Sequence, residues 1–170
     1  MGYVDRTCHG IGILCRMISH TFFVQGIPVP KGSKSLIRTK SGRYVMVEGG
    51  NLKKRHTLKS WMRAVQHVAE SVVDCPIPGP VVLEVTFWLP RGKTIDRDLP
   101  CVKPDWDKLS RGVCDALENA GVYENDSRIT DAHVYKRYAK ELGPGATITI
   151  REHHGEKETV STKSKNIKRV

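Results

Sequence analysis

Long apolar runs are missing from this 170-residue sequence. None approaches the ~20 residues that a membrane-spanning helix needs, so no segment reads as one and no membrane partner is expected. The opening residues lack the marks of a signal peptide: the apolar stretch Ile11-Gly12-Ile13-Leu14-Cys15 is short and no small-residue cleavage site follows it. Paired cysteine motifs are absent as well. The five cysteines (Cys8, Cys15, Cys75, Cys101, Cys114) are odd in number and irregularly spaced, with no CxxC, so neither a disulfide framework nor a zinc ribbon is suggested. That usage fits a reducing compartment. Cys8-His9 with Cys15 and His20 matches no common zinc spacing, and His153-His154 reads as solvated tail. There is no internal repeat. Acidic residues are scarce beside basic ones: 18 Asp and Glu against 28 Lys and Arg, a net charge of +10. Such a balance points to a polyanionic partner, with solubility alone as the plainer explanation.

What is present is the composition of one soluble globular domain, 39% hydrophobic and 27% charged. Thr21 to Ile27 reads as a strand, and Pro28-Val29-Pro30-Lys31-Gly32 then breaks regular structure. From Lys31 to Arg63 the chain carries ten Lys or Arg and one acidic residue, Glu48. Within that stretch Arg43 to Glu48 is a short strand. Leu52 to about Val73 is a helix, with Leu58, Trp61, Met62, Val65, Val68 and Ala69 on one face. Val81 to Leu89 (VVLEVTFWL) is the strongest strand and is expected to be central. A second helix opens near Asp105, with Trp106, Leu109, Val113, Ala116, Leu117 and Ala120 as its buried stripe and Gly121 as its C-terminal cap. Ile129 to Tyr138 and Ala146 to Arg151 read as strands, and the chain turns polar from Glu152 onward. The expected fold is α/β with an α+β character: a single domain whose mixed β-sheet packs against helices. It spans residues 21–151, with an N-terminal extension at 1–20 and a disordered polar tail at 152–170.

The chemistry concentrates at the second helix. Asp105 and Asp107 stand at its start, and Asp126 follows its return loop. Two readings stand side by side. Aspartate favours helix N-caps and first turns, and Asn125-Asp126 suits a turn. Alternatively, three carboxylates brought to one helix-and-return unit share a metal ion. Acidic metal ligands in an otherwise basic chain suit a phosphodiester-cutting enzyme, since cations hold the phosphates and carboxylates hold the ion. Lys108 and Arg111 share the exposed face with Asp107, either as surface ion pairs or as cations aimed at a phosphate.

Three segments, Lys103-Pro104-Asp105-x-Asp107, Asp115-Ala116-Leu117 and Gly121 to Ile129, together resemble the RusA family of Holliday-junction resolvases. Gly26-Ile27-Pro28-Val29-Pro30-Lys31-Gly32 is similar to that family's opening motif, and the likeness spans about residues 21–151. The resemblance implies a RusA-like, dimeric fold: a homodimeric, Mg²⁺-dependent endonuclease, with Mn²⁺ as a possible substitute. Its function would be to resolve four-way junctions by paired symmetric nicks in DNA recombination and repair, in a bacterial or phage-infected cytoplasm, without a nucleotide cofactor. It implies Asp105, Asp107 and Asp126 as metal ligands. It also marks three departures: Asn125 where the family is acidic, Lys108 where it has asparagine, and Arg111 where it has a functional lysine. Arginine keeps the charge but does not readily give up a proton, so Arg111 and Lys108 enter as the cations of the site. Lys31, Lys34, Arg38, Lys40, Arg43, Lys53, Lys54 and Arg55 are the expected backbone-tracking DNA contacts, reading shape rather than sequence. The competing readings are a weak or inactive junction-binding protein, a basic nucleic-acid-binding module without metal, and a metal nuclease acting on other branched DNA, flaps or RNA.

Met17 stands just before the first strand, which marks residues 1–16 as dispensable. A chain starting at Met17 is expected to fold and cut like the full chain, judged by circular dichroism and a cleavage assay; an unfolded product overturns this.

Overall fold

A computed structural model of the chain describes residues 19–32, 34–48 and 52–154. These form β1 (Ser19–Gln25), β2 (Lys34–Arg38), β3 (Tyr44–Glu48), α1 (Leu52–Val72), β4 (Val81–Leu89), α2 (Trp106–Asn119), a single 3-10 turn at Asp126–Arg128, β5 (Ile129–Tyr138) and β6 (Gly145–Glu152). Four strands make one mixed sheet in the order β1-β6-β4-β5, and β2 and β3 make a separate antiparallel hairpin. β4 is an inner strand, as its apolar run predicts, antiparallel to β6 and parallel to β5. Parallel neighbours require a crossover, and α2 supplies it.

Alternation along the strands gives the sheet two unlike faces. Phe22 and Val24, Leu83, Val85 and Phe87, and Ala146, Ile148 and Ile150 are buried on one face. They pack there with Trp61, Val65 and Ala69 of α1 and with Leu109, Val113, Ala116 and Leu117 of α2. Each fully buried leucine in that layer contributes about 1.5–3 kcal/mol relative to exposure. The opposite face carries polar side chains that bond one another: Trp88 Nε1 donates to Thr147 Oγ1 at 2.9 Å, and the hydroxyls of Thr21 and Thr149 lie 2.9 Å apart.

Several expectations need correcting. Trp106 is 59% exposed, not core, because the buried stripe of α2 begins one turn later at Leu109. Lys34–Arg38, for which the sequence suggested no element, is a strand paired with Tyr44–Glu48. Its pairing comes from the tight turn between the strands, where Thr39 and Arg43 are bonded and Gly42 takes a positive φ of 82°. Ser19 and His20 pair with Arg151 and Ile150, so the sheet reaches into the span assigned to the extension. At the other end Glu152 belongs to β6, and His153 is tied rather than solvated. Its amide donates to Pro80 O at 2.7 Å, and its Nδ1 lies 2.6 Å from Thr130 Oγ1. Cys101 and Cys114 are free thiols. Residues 1–18 and 155–170, with the rest of the extension and tail, lie outside the described residues.

At Gly145 the backbone of β6 has no room for a side chain beside β1. A Cβ there would stand 2.5 Å from Val24 O and press into the Phe23 ring. Gly145→Ala is expected to lower stability by about 1–3 kcal/mol, the usual cost of overpacking, seen as a lower denaturant midpoint at unchanged slope.

Candidate active site

The loop that leads into α2 is anchored from the sheet. Lys136, on β5, donates from Nζ to Val102 O at 2.9 Å and to Pro104 O at 3.0 Å. Asp105 follows at once and occupies the N-cap position in an extended conformation (φ −71°, ψ 140°). Its side chain makes no capping bond, although capping is the usual reason for aspartate there. The carboxylate instead accepts from Lys108 Nζ at 2.7 Å. Two residues on, Asp107 accepts from Arg111 Nη2 at 3.3 Å. The helix start therefore presents two carboxylates, each paired with a cation of the next turn.

These charges hold Asp105 ionised. The hydrogen bond from Lys108, and then its charge, carry the carboxyl below the ordinary aspartate value, with Lys103 and Lys136 adding to the shift. Reciprocally, Asp105 raises the Lys108 ammonium above the usual lysine value. While so paired, Lys108 is a fixed positive charge and a poor proton-transfer group. A carboxyl with a depressed folded-state pKa contributes stability that is present above its unfolded value and lost as the pH falls through its folded value. Both partners face solvent, so this contribution is small.

In front of the pair lies a cleft of about 430 Å³, lined by Pro28, Pro30, Lys103, Pro104, Asp105 and Lys108. The proline wall belongs to the 26–32 segment, which is tied to α2 by a 2.8 Å bond from the Lys31 amide to Lys108 O. A larger concavity of about 610 Å³ opens on the polar face of the sheet around Trp88, Tyr135 and Arg137. The smaller cleft is the better candidate because only it contains paired carboxylate and ammonium groups of the helix start.

Asp126 is placed differently. It opens the 3-10 turn before β5 and is exposed. There Asn125 is the local cap, its side chain accepting from Ser127 N at 2.9 Å. Asp126 acts on the far half of α2: burial first, then the Asp126 and Asp115 carboxylates, push the Cys114 thiol up to about 11. Because β4 and β5 are parallel, Asp105 and Asp107 stand past the end of β4 while Asp126 stands before the start of β5. Between them runs α2, roughly 21 Å long at 1.5 Å per residue. Among the described residues no three His, Cys, Asp or Glu side chains gather closely enough to hold a metal ion. Carboxylate oxygens suit a hard divalent cation in chemistry; within one chain, two of the three aspartates adjoin at the helix start.

The basic residues divide into groups. Arg38, Lys40 and Arg43 are exposed around the hairpin turn, with Arg38 over the Tyr44 ring at 6.0 Å. Lys34 lies in β2, and Lys53, Lys54 and Arg55 lie in the first turn of α1; their side chains are outside the described ones. Lys31 is ion-paired with Asp115 instead of projecting freely. Sequence reasoning missed Lys136, Lys103 and the proline wall. Nothing in a strand pattern tells which alternate lysine meets a loop, whereas the Pro-x-Pro spacing was visible without its partner.

The family model "Endodeoxyribonuclease RusA" matches residues 26–151, which include all three aspartates. The chain is 28% identical over 130 residues to "Crossover junction endodeoxyribonuclease RusA" of Aquifex aeolicus (strain VF5), covering 76% of this chain and 88% of that protein. It is also 33% identical over 101 residues to "Uncharacterized protein YqaN" of Bacillus subtilis (strain 168), covering 52% of this chain and 66% of that one.

The Asp105–Lys108 pair is testable by carboxyl titration in NMR. In the native chain Asp105 is expected to titrate below 3.8, and in Lys108→Met its midpoint should move up toward that value. An unmoved midpoint would mean that Lys108 does not hold the carboxylate.

Proposed function

This chain belongs to the RusA family of endodeoxyribonucleases, and from that footing we propose that it resolves four-way (Holliday) DNA junctions by paired symmetric nicks in recombination and repair. The observation that carries the proposal is Asp105, a helix-start carboxylate free of capping duty and facing a cleft beside two cations. The name of the Aquifex relative, a crossover junction endodeoxyribonuclease, supports the substrate class.

Asp105, Asp107 and Asp126 would hold Mg²⁺, with Mn²⁺ as a substitute. The chemistry such an ion supplies is activation of a water for attack on phosphorus and polarisation of the phosphoryl oxygen. The residues of the chain do the rest. Lys108 and Arg111 occupy the carboxylates while no DNA is bound and turn to the phosphates when it arrives. Their fixed positive charges then offset the negative charge that builds at phosphorus. Neither needs to lose a proton for this, which suits an arginine at position 111. In one chain α2 stands between Asp126 and the other two aspartates. A two-fold homodimer, in which a second copy's Asp126 meets Asp105 and Asp107, would bring the three together. It would also set one cutting site against each of two opposed strands of a junction. The exposed Arg38, Lys40 and Arg43, with Lys34, Lys53, Lys54 and Arg55, would track the backbone of the arms.

A second reading, a junction-binding protein with weak catalysis, is favoured by Asn125, which is engaged as a local cap where the family has an acidic residue.

Asp107→Asn separates the two. For a nuclease, binding to a synthetic four-way junction should persist within about twofold while Mg²⁺-dependent nicking falls by ~100-fold or more, because an amide is a poorer ligand than a carboxylate for the ion that supplies the chemistry. Nicking at the native rate would remove Asp107 from the site, and a native chain that binds junctions but fails to nick in Mg²⁺ or Mn²⁺ would establish the second reading.

A further inference from the structure

The segment from Pro28 to Gly32 crosses α2 at one position, Gly112. A Cβ there would sit 3.7 Å from Val29 O and 3.7 Å from Leu58 Cδ1, so any side chain longer than alanine meets the crossing backbone or the core. Two bonds fasten the crossing on either side of this glycine. The Lys31 amide donates to Lys108 O at 2.8 Å. The Lys31 ammonium is ion-paired with the Asp115 carboxylate, seven residues along α2 and on the same side of it. One residue thus grips the helix through its main chain near the catalytic end and through its side chain two turns away.

The three ion pairs of α2 differ in shelter. Side-chain exposure is 26% and 31% for Lys31–Asp115, but 38% and 42% for Lys108–Asp105 and 57% and 41% for Arg111–Asp107. The more exposed pairs are screened by solvent and open to exchange for a phosphate, whereas the sheltered one is screened less. It holds a proline wall of the cleft, Pro28 and Pro30, and β2 starts three residues beyond it.

We propose that Lys31 and Asp115 are positioning residues whose ion pair holds the proline wall and the root of the basic hairpin against α2, and that Lys31 is not a DNA phosphate contact. This rests on the nuclease reading for its consequence, though not for its geometry.

The experiment compares wild type, Lys31→Met, Asp115→Asn, Lys31→Arg and the exchanged pair Lys31→Asp with Asp115→Lys in the full chain. Single-turnover cleavage of a synthetic junction at saturating enzyme is measured together with the salt dependence of junction binding. Each neutral single substitution is expected to slow cleavage ~10-fold or more, the scale of a small misplacement of a site. The slope of log affinity on log salt should stay at its native value, and Lys31→Arg and the exchanged pair should recover most of the rate. A slope smaller by about one in Lys31→Met, the signature of a lost phosphate contact, overturns the proposal. So does native cleavage by Asp115→Asn. Amide hydrogen exchange at Lys31 supplies a readout without activity: in Asp115→Asn it should quicken ~10-fold or more while β4 and β6 amides keep their protection. Unchanged exchange overturns the strut. If the wild type cuts no junction, the nuclease reading fails, and the exchange result alone still decides the strut.

Discussion

Burial of Leu109, Val113, Ala116 and Leu117 against the sheet sets the rotation of α2 about its axis, and the charged side of the helix follows from that rotation. With 3.6 residues per turn, giving those four positions to the core leaves Asp107, Lys108, Arg111 and Asp115 facing outward. Turning the helix by one residue would carry carboxylates or ammonium groups toward the sheet, at several kcal/mol for each ion desolvated. The apolar stripe therefore aims the chemistry, and the crossing segment at Gly112 adds a second restraint from the outer side. A helix so held can keep charged side chains at its open end without caps of its own, as Asp105 does.

That end keeps its carboxylates balanced by cations in the free protein. Each carboxylate at the helix start has its own cation within one turn, so the site offers two functions at close quarters, carboxylates for a cation and cations for a polyanion. The two functions compete for the same partners. Exposed pairs of this kind contribute little to stability, and exchanging one partner for a phosphate or a metal ion costs correspondingly little. A basic protein gains from this arrangement, because each carboxylate of the helix start has a cation at hand before substrate arrives.

Much of this was legible in the residues, for identifiable reasons. β4 and α2 were readable because their periodicity is strong: a continuous apolar run in one and a repeating stripe in the other. Asp105, Asp107, Lys108 and Arg111 were readable as a group because helical spacing alone makes them neighbours. Trp106 was misplaced because periodicity does not say where the sheet beneath a helix ends. β2 was hidden by its lysine and arginine, since a hairpin standing off the main sheet need not bury an alternating face. The Lys31–Asp115 contact joins residues 84 apart, and no local pattern encodes it. The separation of Asp126 from the other two aspartates needed the topology, because it depends on β4 and β5 running parallel.

The parallel pairing of β4 with β5 also orders events in time. Those strands meet only after everything from residue 90 to residue 128 has closed between them, and long-range pairings of this kind are slow because closure entropy precedes the reward. Until the crossover docks, Asp105 and Asp107 sit on a helix whose entry loop has no Lys136 to hold it. Pairing of β5 with β4 therefore brings Lys136 to the entry loop of α2. A nascent or partly unfolded chain, however basic, lacks the finished cleft in front of Asp105.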